Sequence, residues 1–393
     1  MNSFVSKPPE CTLILDNLPK EIDHWLIGID TQFFNVNSLL KGIKLIPRGI
    51  HLFHYSTNFM DDHKPRGDSG MLDATGPSFR YGFWFEAREN DVLVLYWQED
   101  SESCVIIDEH NELERLNYTK VLSNLGDTYL YMLKYPQDEQ SWKTLTRYID
   151  EQISAAILPQ CNGYGQIDTM MSSKEEFLAL AHQLSQKGNS IEENGDNLLL
   201  YSIVQFKLNR SKNQTVEQTT RNYLDKSWYL EELFNESLQN YLGELQLSFL
   251  NFIIICNTCS NVQWLNLLKL CLMSQTTLLC NKKFTGDFLL TLRAQLAIIP
   301  EDYLTINPLV DVKHYIEVME KFANDTFRTD LWHKGDQQTQ HILQIWENIL
   351  ALNAERFGLN FQTKAPIVDE NMTEVFSIND YDPDDENAPV ILT

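Results

Sequence analysis

Phe79-Arg80-Tyr81-Gly82-Phe83-Trp84-Phe85 is the stretch on which the fold of the first part of this chain turns. Phe79, Tyr81, Phe83 and Phe85 alternate along one face of an extended strand, and Trp84 points the other way. Working outward, similar β-prone runs predict strands at Cys11–Leu15, Gln32–Val36, Ile50–Tyr55, Val92–Trp97 and Cys104–Ile107. Turn formers separate them: Pro47-Arg48-Gly49, Gly76-Pro77 and Glu89-Asn90-Asp91. The stretch Thr57–Pro77 is polar and Gly-rich and reads as a long surface loop.

After Glu112 the period changes. Trp142, Leu145, Ile149, Ile153 and Ile157 recur at helical spacing, with Pro136 before them and Pro159 after. From Gln160 to Asn197 the chain is rich in Gly, Asn and Glu, with a short helix expected around Ser173–Gln186. Leu198–Phe206 reads as a lone strand. From Val216 to Leu359 the pattern is helical throughout. Leu242, Leu245, Phe249, Phe252, Ile253 and Cys256 form one stripe, and Leu247, Leu250 and Ile254 add apolar surface on another side, which predicts a central helix. Further stripes run through Trp264–Leu272, Phe288–Ile299, Val312–Phe322 and Ile342–Leu350. The expected class is α+β with two domains. A β-rich, sandwich-like domain that ends in helices occupies 1–158. A linker with a short helix and one strand covers 159–213, and an all-helical domain covers 214–360. An acidic flexible tail takes 361–393.

The 393 residues include 43% hydrophobic and 11% aromatic residues, enough for two cores. The net charge of −24 opposes direct nucleic-acid binding, which needs a basic footprint, and favours a basic protein partner. The first nine residues hold no apolar core of signal-peptide length. Leu242–Cys256, interrupted by Gln246, Ser248 and Asn251, is too short to span a bilayer. Seven sparse cysteines fit reduced thiols in cytosol or nucleus.

Few residues suggest chemistry. Gly67-Asp68-Ser69-Gly70 mimics the loop around a serine nucleophile, but Met71 follows where that motif continues Gly-Pro, so a flexible loop is expected. His51 and His54 lie three apart in a predicted strand and project to opposite faces. They cannot share a metal by themselves, although His24 or His63 could join one of them. Satisfied core or edge histidines are the expectation. Cys256-Asn257-Thr258-Cys259, with Cys271 and Cys280 downstream, reads as buried small hydrophobes rather than a zinc site. No phosphate-cradling Gly loop occurs. Neither a catalytic residue, a metal ligand nor a cofactor is expected.

The tail is the most pointed functional signal. Between Ala365 and Thr393 there is no Lys or Arg, while Asp369, Glu370, Glu374, Asp380, Asp382, Asp384, Asp385 and Glu386 supply eight carboxylates. It closes with Ala388-Pro389-Val390-Ile391-Leu392. An acidic leash cannot bury enough apolar surface to offset its ordering entropy, so mobility is expected in isolation. The β-prone end suits addition to another protein's exposed sheet edge, starting at Pro389, which cannot donate to a ladder. Val390, Ile391 and Leu392 are the expected anchors, with Asp384, Asp385 and Glu386 acting on association rate.

One set of motifs runs along the whole chain. Gly28-Ile29-Asp30-Thr31-Gln32-Phe33-Phe34 leads into Lys41-Gly42-Ile43-Lys44-Leu45-Ile46-Pro47-Arg48-Gly49-Ile50-His51-Leu52-Phe53-His54-Tyr55. Arg80–Phe85, Lys134-Tyr135-Pro136 before Trp142, Leu224-Asp225-Lys226-Ser227-Trp228-Tyr229-Leu230 and Gly243-Glu244-Leu245-Gln246-Leu247-Ser248-Phe249-Leu250 follow. Trp264, Ile299-Pro300-Glu301-Asp302-Tyr303 and the terminal Ala388–Leu392 complete the order. This succession resembles the A1-cistron splicing factor family, the assembly factors of the U-five small nuclear ribonucleoprotein. Thr57–Pro77 and the linker depart from the pattern.

The resemblance implies a β-rich domain joined to a helical domain similar to VHS domains. It implies a non-enzymatic chaperone, found in cytoplasm and nucleus, that binds the large spliceosomal scaffold protein. In that family the tail bridges the partner's RNase H-like and Jab/MPN-like domains, partly through an intermolecular sheet, and blocks premature RNA and helicase engagement. A monomer without nucleic-acid or membrane binding is expected. Phosphorylation is a release trigger that the resemblance allows. Ser274, after the Trp264–Leu272 stripe, is the candidate, because a phosphate there adds negative charge at a helix C-terminus. The rival expectation is a generic interaction scaffold unrelated to splicing.

Overall fold

The computed structural model describes residues 8–19, 22, 25–36, 38–57, 79–107, 111, 114–136, 139–187, 197–206, 215–234, 237–307, 310–327, 332 and 336–362. Two compact units divide the chain: 1–201 together with 242–264, and 202–241 together with 265–393. The segment 242–264, helical as its stripe predicts, therefore groups with the β-rich part and not with the helical one.

The first unit opens with β1 (Cys11–Asp16), β2 (Leu26–Ile29), β3 (Gln32–Asn35), β4 (Gly42–Ile46), β5 (Gly49–Ser56), β6 (Tyr81–Ala87), β7 (Val92–Gln98) and β8 (Ser103–Ile106). Helices α1 (Arg115–Ser123) and α2 (Leu125–Thr128) precede β9 (Met132–Lys134), α3 (Glu139–Leu145) and α4 (Glu151–Ile157). A hairpin of β10 (Gln160–Cys161) and β11 (Tyr164–Asp168) and helix α5 (Lys174–Gln186) follow. One sheet has the order β8-β7-β1-β4-β9 and the other β10-β11-β6-β5-β2-β3. β1 runs parallel to β7 and β4 parallel to β9, whereas β6 pairs antiparallel with β5 and β11.

The sandwich follows from period-two burial. Leu13, Leu15, Ile43, Leu93, Leu95 and Trp97 of the first sheet meet Ile27, Ile29, Phe53, Tyr55, Phe83 and Phe85 of the second in one core. On the first sheet's outer face, Ile14 and Val94 pack under Tyr118, Val121 and Leu125 of α1 and α2. Trp84 projects away from the shared core, as its alternation with Phe83 and Phe85 requires, and stacks on Trp142 of α3 at 5.9 Å. Phe79 lies before the strand and is 51% exposed.

Three readings are corrected here. The helix expected through Trp142–Ile157 is two helices, because Asp150 caps α4 by accepting the Ile153 N–H, and that cap needs a non-helical backbone. Gln160–Asp168 is not linker: its Asn162-Gly163 turn has positive φ at both residues and closes a hairpin that extends the second sheet through β6. Leu198–Phe206 is not a strand. It makes one bridge, Leu199 to Ser173, and its Leu199, Tyr201 and Val204 are buried singly. The sequence pattern marks no strand at β2, β4, β9, β10 or β11. The α5 helix begins as expected, with Ser173 capping Glu176 N–H.

The second unit contains α6 (Val216–Leu224), α7 (Ser227–Phe234) and the adjoining turns of α8 (Leu238–Ile255) and α9 (Thr258–Leu272). It continues with α10 (Gln275–Cys280), α11 (Lys282–Ile298), α12 (Tyr303–Ile306), α13 (Val312–Phe327) and α14 (Gln337–Phe357). Its core is built by the predicted stripes: Leu267, Cys271, Phe288, Leu289, Leu292, Phe322, Ile345 and Ile349 are buried. Trp346 meets Phe322 edge-on at 5.2 Å. Arg356 of α14 donates to Ile299 O at 2.7 Å and to Ala297 O, satisfying carbonyls at the end of α11. Gly358 ends α14 at φ 66, where a glycine carries no Cβ penalty. No helix among the described residues is long and apolar enough to cross a membrane.

Candidate functional site

The two histidines singled out from the sequence meet at one aspartate. Asp30 sits in the turn between β2 and β3 at φ 57 and is buried. Its Oδ2 accepts from the Tyr135 hydroxyl at 2.5 Å and contacts His51 Nδ1 at 2.8 Å. Its Oδ1 accepts the Leu52 N–H at 3.0 Å. His51 Nε2 lies 2.9 Å from Pro47 O, so both ring nitrogens face acceptors. His54 projects to the opposite face, and its Nε2 donates to the Asp30 carbonyl at 3.0 Å. Burial, with Arg80 beside it, pushes His54 down to about 3, and it stays neutral. Gly28 makes room for that ring: a Cβ there would lie 2.0 Å from His54 Cε1. Both histidines are thus satisfied core residues that tie one turn to β5. No group of three His, Cys, Asp or Glu among the described residues is placed to hold a metal.

A second polar system holds α8 and the start of α9 on the sandwich. Trp84 Nε1 donates to Asn251 Oδ1 at 2.8 Å, and Asn251 Nδ2 donates to the Tyr201 hydroxyl at 3.0 Å. Arg80 Nη1 donates to Ile254 O at 2.6 Å and Thr169 Oγ1 to Ile255 O at 2.8 Å, so both serve carbonyls at the C-terminal end of α8. Asn257 Nδ2 donates to Asp168 O and Met171 O, while its Oδ1 accepts from Ser260 at the start of α9. Gln246 accepts the Tyr148 N–H at 2.8 Å and donates to Thr144 O at 3.1 Å. Gly243 permits the approach, since a Cβ there would lie 2.2 Å from Ile153 Cδ1. Two of the three polar residues that interrupt the most apolar helix, Gln246 and Asn251, are therefore its attachment points, while Ser248 donates within the helix to Leu245 O. Gln246 and Asn251 were visible as interruptions, but their partners were not.

The cysteine pair behaves differently from expectation. Cys256 is exposed at φ 60, just past the end of α8, and Cys259 is half-buried with its thiol donating to Glu176 Oε2 at 2.8 Å. They are not core hydrophobes: Cys256 lies in the turn between α8 and α9, and Cys259 lies in the first turn of α9. Burial, reinforced by Glu176, raises the Cys259 thiol to about 11, so it is not an activated nucleophile.

Ser274, the candidate phosphosite, is placed by the structure in the interior. It is 0% exposed, between α9 and α10, and its hydroxyl donates to Leu270 O at 2.7 Å. A kinase could not reach that hydroxyl without opening the segment. Nearby, Asp225 accepts from Ser227 N–H at 2.9 Å and Thr276 N–H at 3.2 Å, which ties the Leu224–Leu230 motif to α10. Lys226 beside it is pushed down to about 8, by burial first and by Lys269 second.

Among surface features, a cleft of about 230 Å³ opens beside the β4–β5 turn. Ile50, His51, Trp142 and Ile149 line it together with Arg48, Glu139, Lys143, Thr146 and Arg147. The tail residues Asp384, Asp385, Glu386, Pro389, Val390, Ile391 and Leu392 lie outside the described residues, as do Ser69, His24 and His63.

Comparison with known proteins gives two successive matches in chain order. Residues 9–159 match the AAR2 N-terminal domain, and residues 201–362 match the AAR2 C-terminal repeat region. The chain is 26% identical to the A1 cistron-splicing factor AAR2 of Saccharomyces cerevisiae over 294 residues, covering 71% of this chain and 76% of that protein. It is 24% identical to the human protein AAR2 homolog over 317 residues, covering 74% and 77% respectively. The mouse homolog is likewise 24% identical, over 316 residues.

Proposed function

This chain belongs to the AAR2 family of splicing factors, and on that premise we propose that it chaperones assembly of the U-five small nuclear ribonucleoprotein. It does so without catalysis, by binding the particle's large scaffold protein and keeping RNA and helicase away until assembly is complete. The observation that carries this reading is the ordered match to both family regions, 9–159 and 201–362.

The tail supplies the physical means. RNA-binding surfaces are basic, so an acidic segment can occupy them before RNA arrives. Val390, Ile391 and Leu392 supply a strand to the partner's sheet from Pro389 onward, with the ordering cost met on binding. Asp384, Asp385 and Glu386 speed the encounter. The protein works in cytoplasm and nucleus, as a monomer.

Capture from nuclear extract tests the proposal. The full chain is expected to retain the large scaffold protein. A chain ending at Lys364 is expected to stay folded and to retain much less of it. Recovery without that scaffold would favour a generic interaction protein, and undiminished capture by the shortened chain would refute the role of the tail.

A further inference from the structure

In a chain of net charge −24, the cleft beside the β4–β5 turn carries three cations. Arg48 comes from the turn itself, and Lys143 and Arg147 come from α3 and the turn after it. The floor is apolar and preformed: Trp142 Nε1 donates to Ile50 O at 2.8 Å, which fixes α3 against the start of β5, and Ile149 is buried beside it. The rim ion pairs are solvent-exposed. Arg48 meets Glu89 at 3.4 Å with both side chains more than half exposed, and Lys143 pairs with Glu139 on the solvent side of α3. Exposed pairs of this kind contribute little and exchange readily for another carboxylate. The Arg147 guanidinium lies 5.5 Å from the Tyr148 ring centre, and it makes no carboxylate pair among the described residues.

Size and charge choose the ligand. Sites for cofactor-sized molecules usually occupy roughly 300–1,000 Å³. A cleft of about 230 Å³ suits one or two side chains. An arginine fork recognises a carboxylate in two-point geometry, and a narrow apolar mouth accepts a single aromatic or aliphatic side chain. The negative field of the rest of the molecule repels a long polyanion and tolerates one or two charges.

We propose that this cleft is a docking site for a short acidic segment of a partner polypeptide. An apolar side chain of that segment rests on half-buried Ile50 at the mouth of the cleft, above the buried Trp142 and Ile149, and an adjacent carboxylate reaches Arg147 and Arg48.

The test uses the full chain and an acetylated, amidated pentapeptide in which a phenylalanine is followed by two aspartates. The readout is the Trp142 indole N–H resonance, assigned with a Trp142→Phe variant. A saturable shift is expected, weakened about tenfold in an Arg48→Ala/Arg147→Ala variant and to a similar degree when the peptide's aspartates become asparagines. The rim arginines are exposed, so the variant keeps its fold. The proposal is overturned if the resonance does not move. It is equally overturned if the double substitution leaves the affinity unchanged, or if inorganic phosphate or a uridine oligonucleotide displaces the peptide at equal concentration.

Discussion

Trp84 and Asn251, 167 positions apart in the chain, share a buried hydrogen bond of 2.8 Å from indole to amide. It joins the centre of β6 to the C-terminal half of the most apolar helix. The same amide donates to Tyr201, which contacts Ser260, so one side chain connects four stretches of the first unit.

Replacing Asn251 by Leu keeps the branched outline, puts bulkier methyl groups in place of the amide and removes both bonds, leaving the Trp84 N–H without its acceptor. The expected loss is about 2–4 kcal/mol. It is measured as a lower urea midpoint, together with a shift in tryptophan emission.

Gly28→Ala places a methyl group against His54 and 2.6 Å from Gln32 O. About 3 kcal/mol of destabilisation is expected. Adding His54→Ala should recover part of the loss, since the ring is removed but the carbonyl stays. A double-mutant cycle from denaturant unfolding reads that coupling.

His54 stays neutral in the folded protein down to about 3, whereas the unfolded chain takes up the proton near 6.5. Between those values the unfolded state binds more protons, so stability falls as pH drops through that window. The slope is on the order of 1.4 kcal/mol per pH unit for this group. His54→Gln offers a donor that does not titrate, so unfolding curves at pH 7, 6, 5 and 4 should converge for the variant relative to the parent.

Ser274→Glu puts a carboxylate where the parent side chain is fully buried. It is expected to cost about 3 kcal/mol or more of stability, while Ser274→Ala costs about 1 kcal/mol through the lost bond to Leu270 O. Thermal unfolding of both variants distinguishes this structural role from a regulatory one, in which Ser274→Glu would melt like the parent.

Legibility in the sequence tracked the length of a pattern. The stripes through Trp264–Leu272, Phe288–Ile299 and Ile342–Leu350 each repeat over several turns, and they form α9, α11 and α14. The alternation in Phe79–Phe85 marks β6 for the same reason. Leu26–Ile29 and Met132–Lys134 span too few residues for a period to show, and only pairing with β5 and β4 makes them strands. Asn162-Gly163 was a readable hairpin signal set in a polar stretch. Of the candidate site, the opposite facing of His51 and His54 was legible from strand geometry. That one aspartate would receive both was not, because Asp30 is over twenty positions from each.

By itself the sequence determined the β-rich first part, the helical second part and the acidic end, since these depend on local period and composition, while the order of its motifs carried the resemblance to the family. Only the tertiary structure decided that 242–264 groups with the sandwich and that Gln246, Asn251 and Asn257 are its anchors. It alone buried Ser274 and gathered Arg48, Lys143 and Arg147 around one cleft. The physical reason is that a buried polar group must find a partner wherever the chain brings one within hydrogen-bonding distance, and sequence separation does not encode that distance.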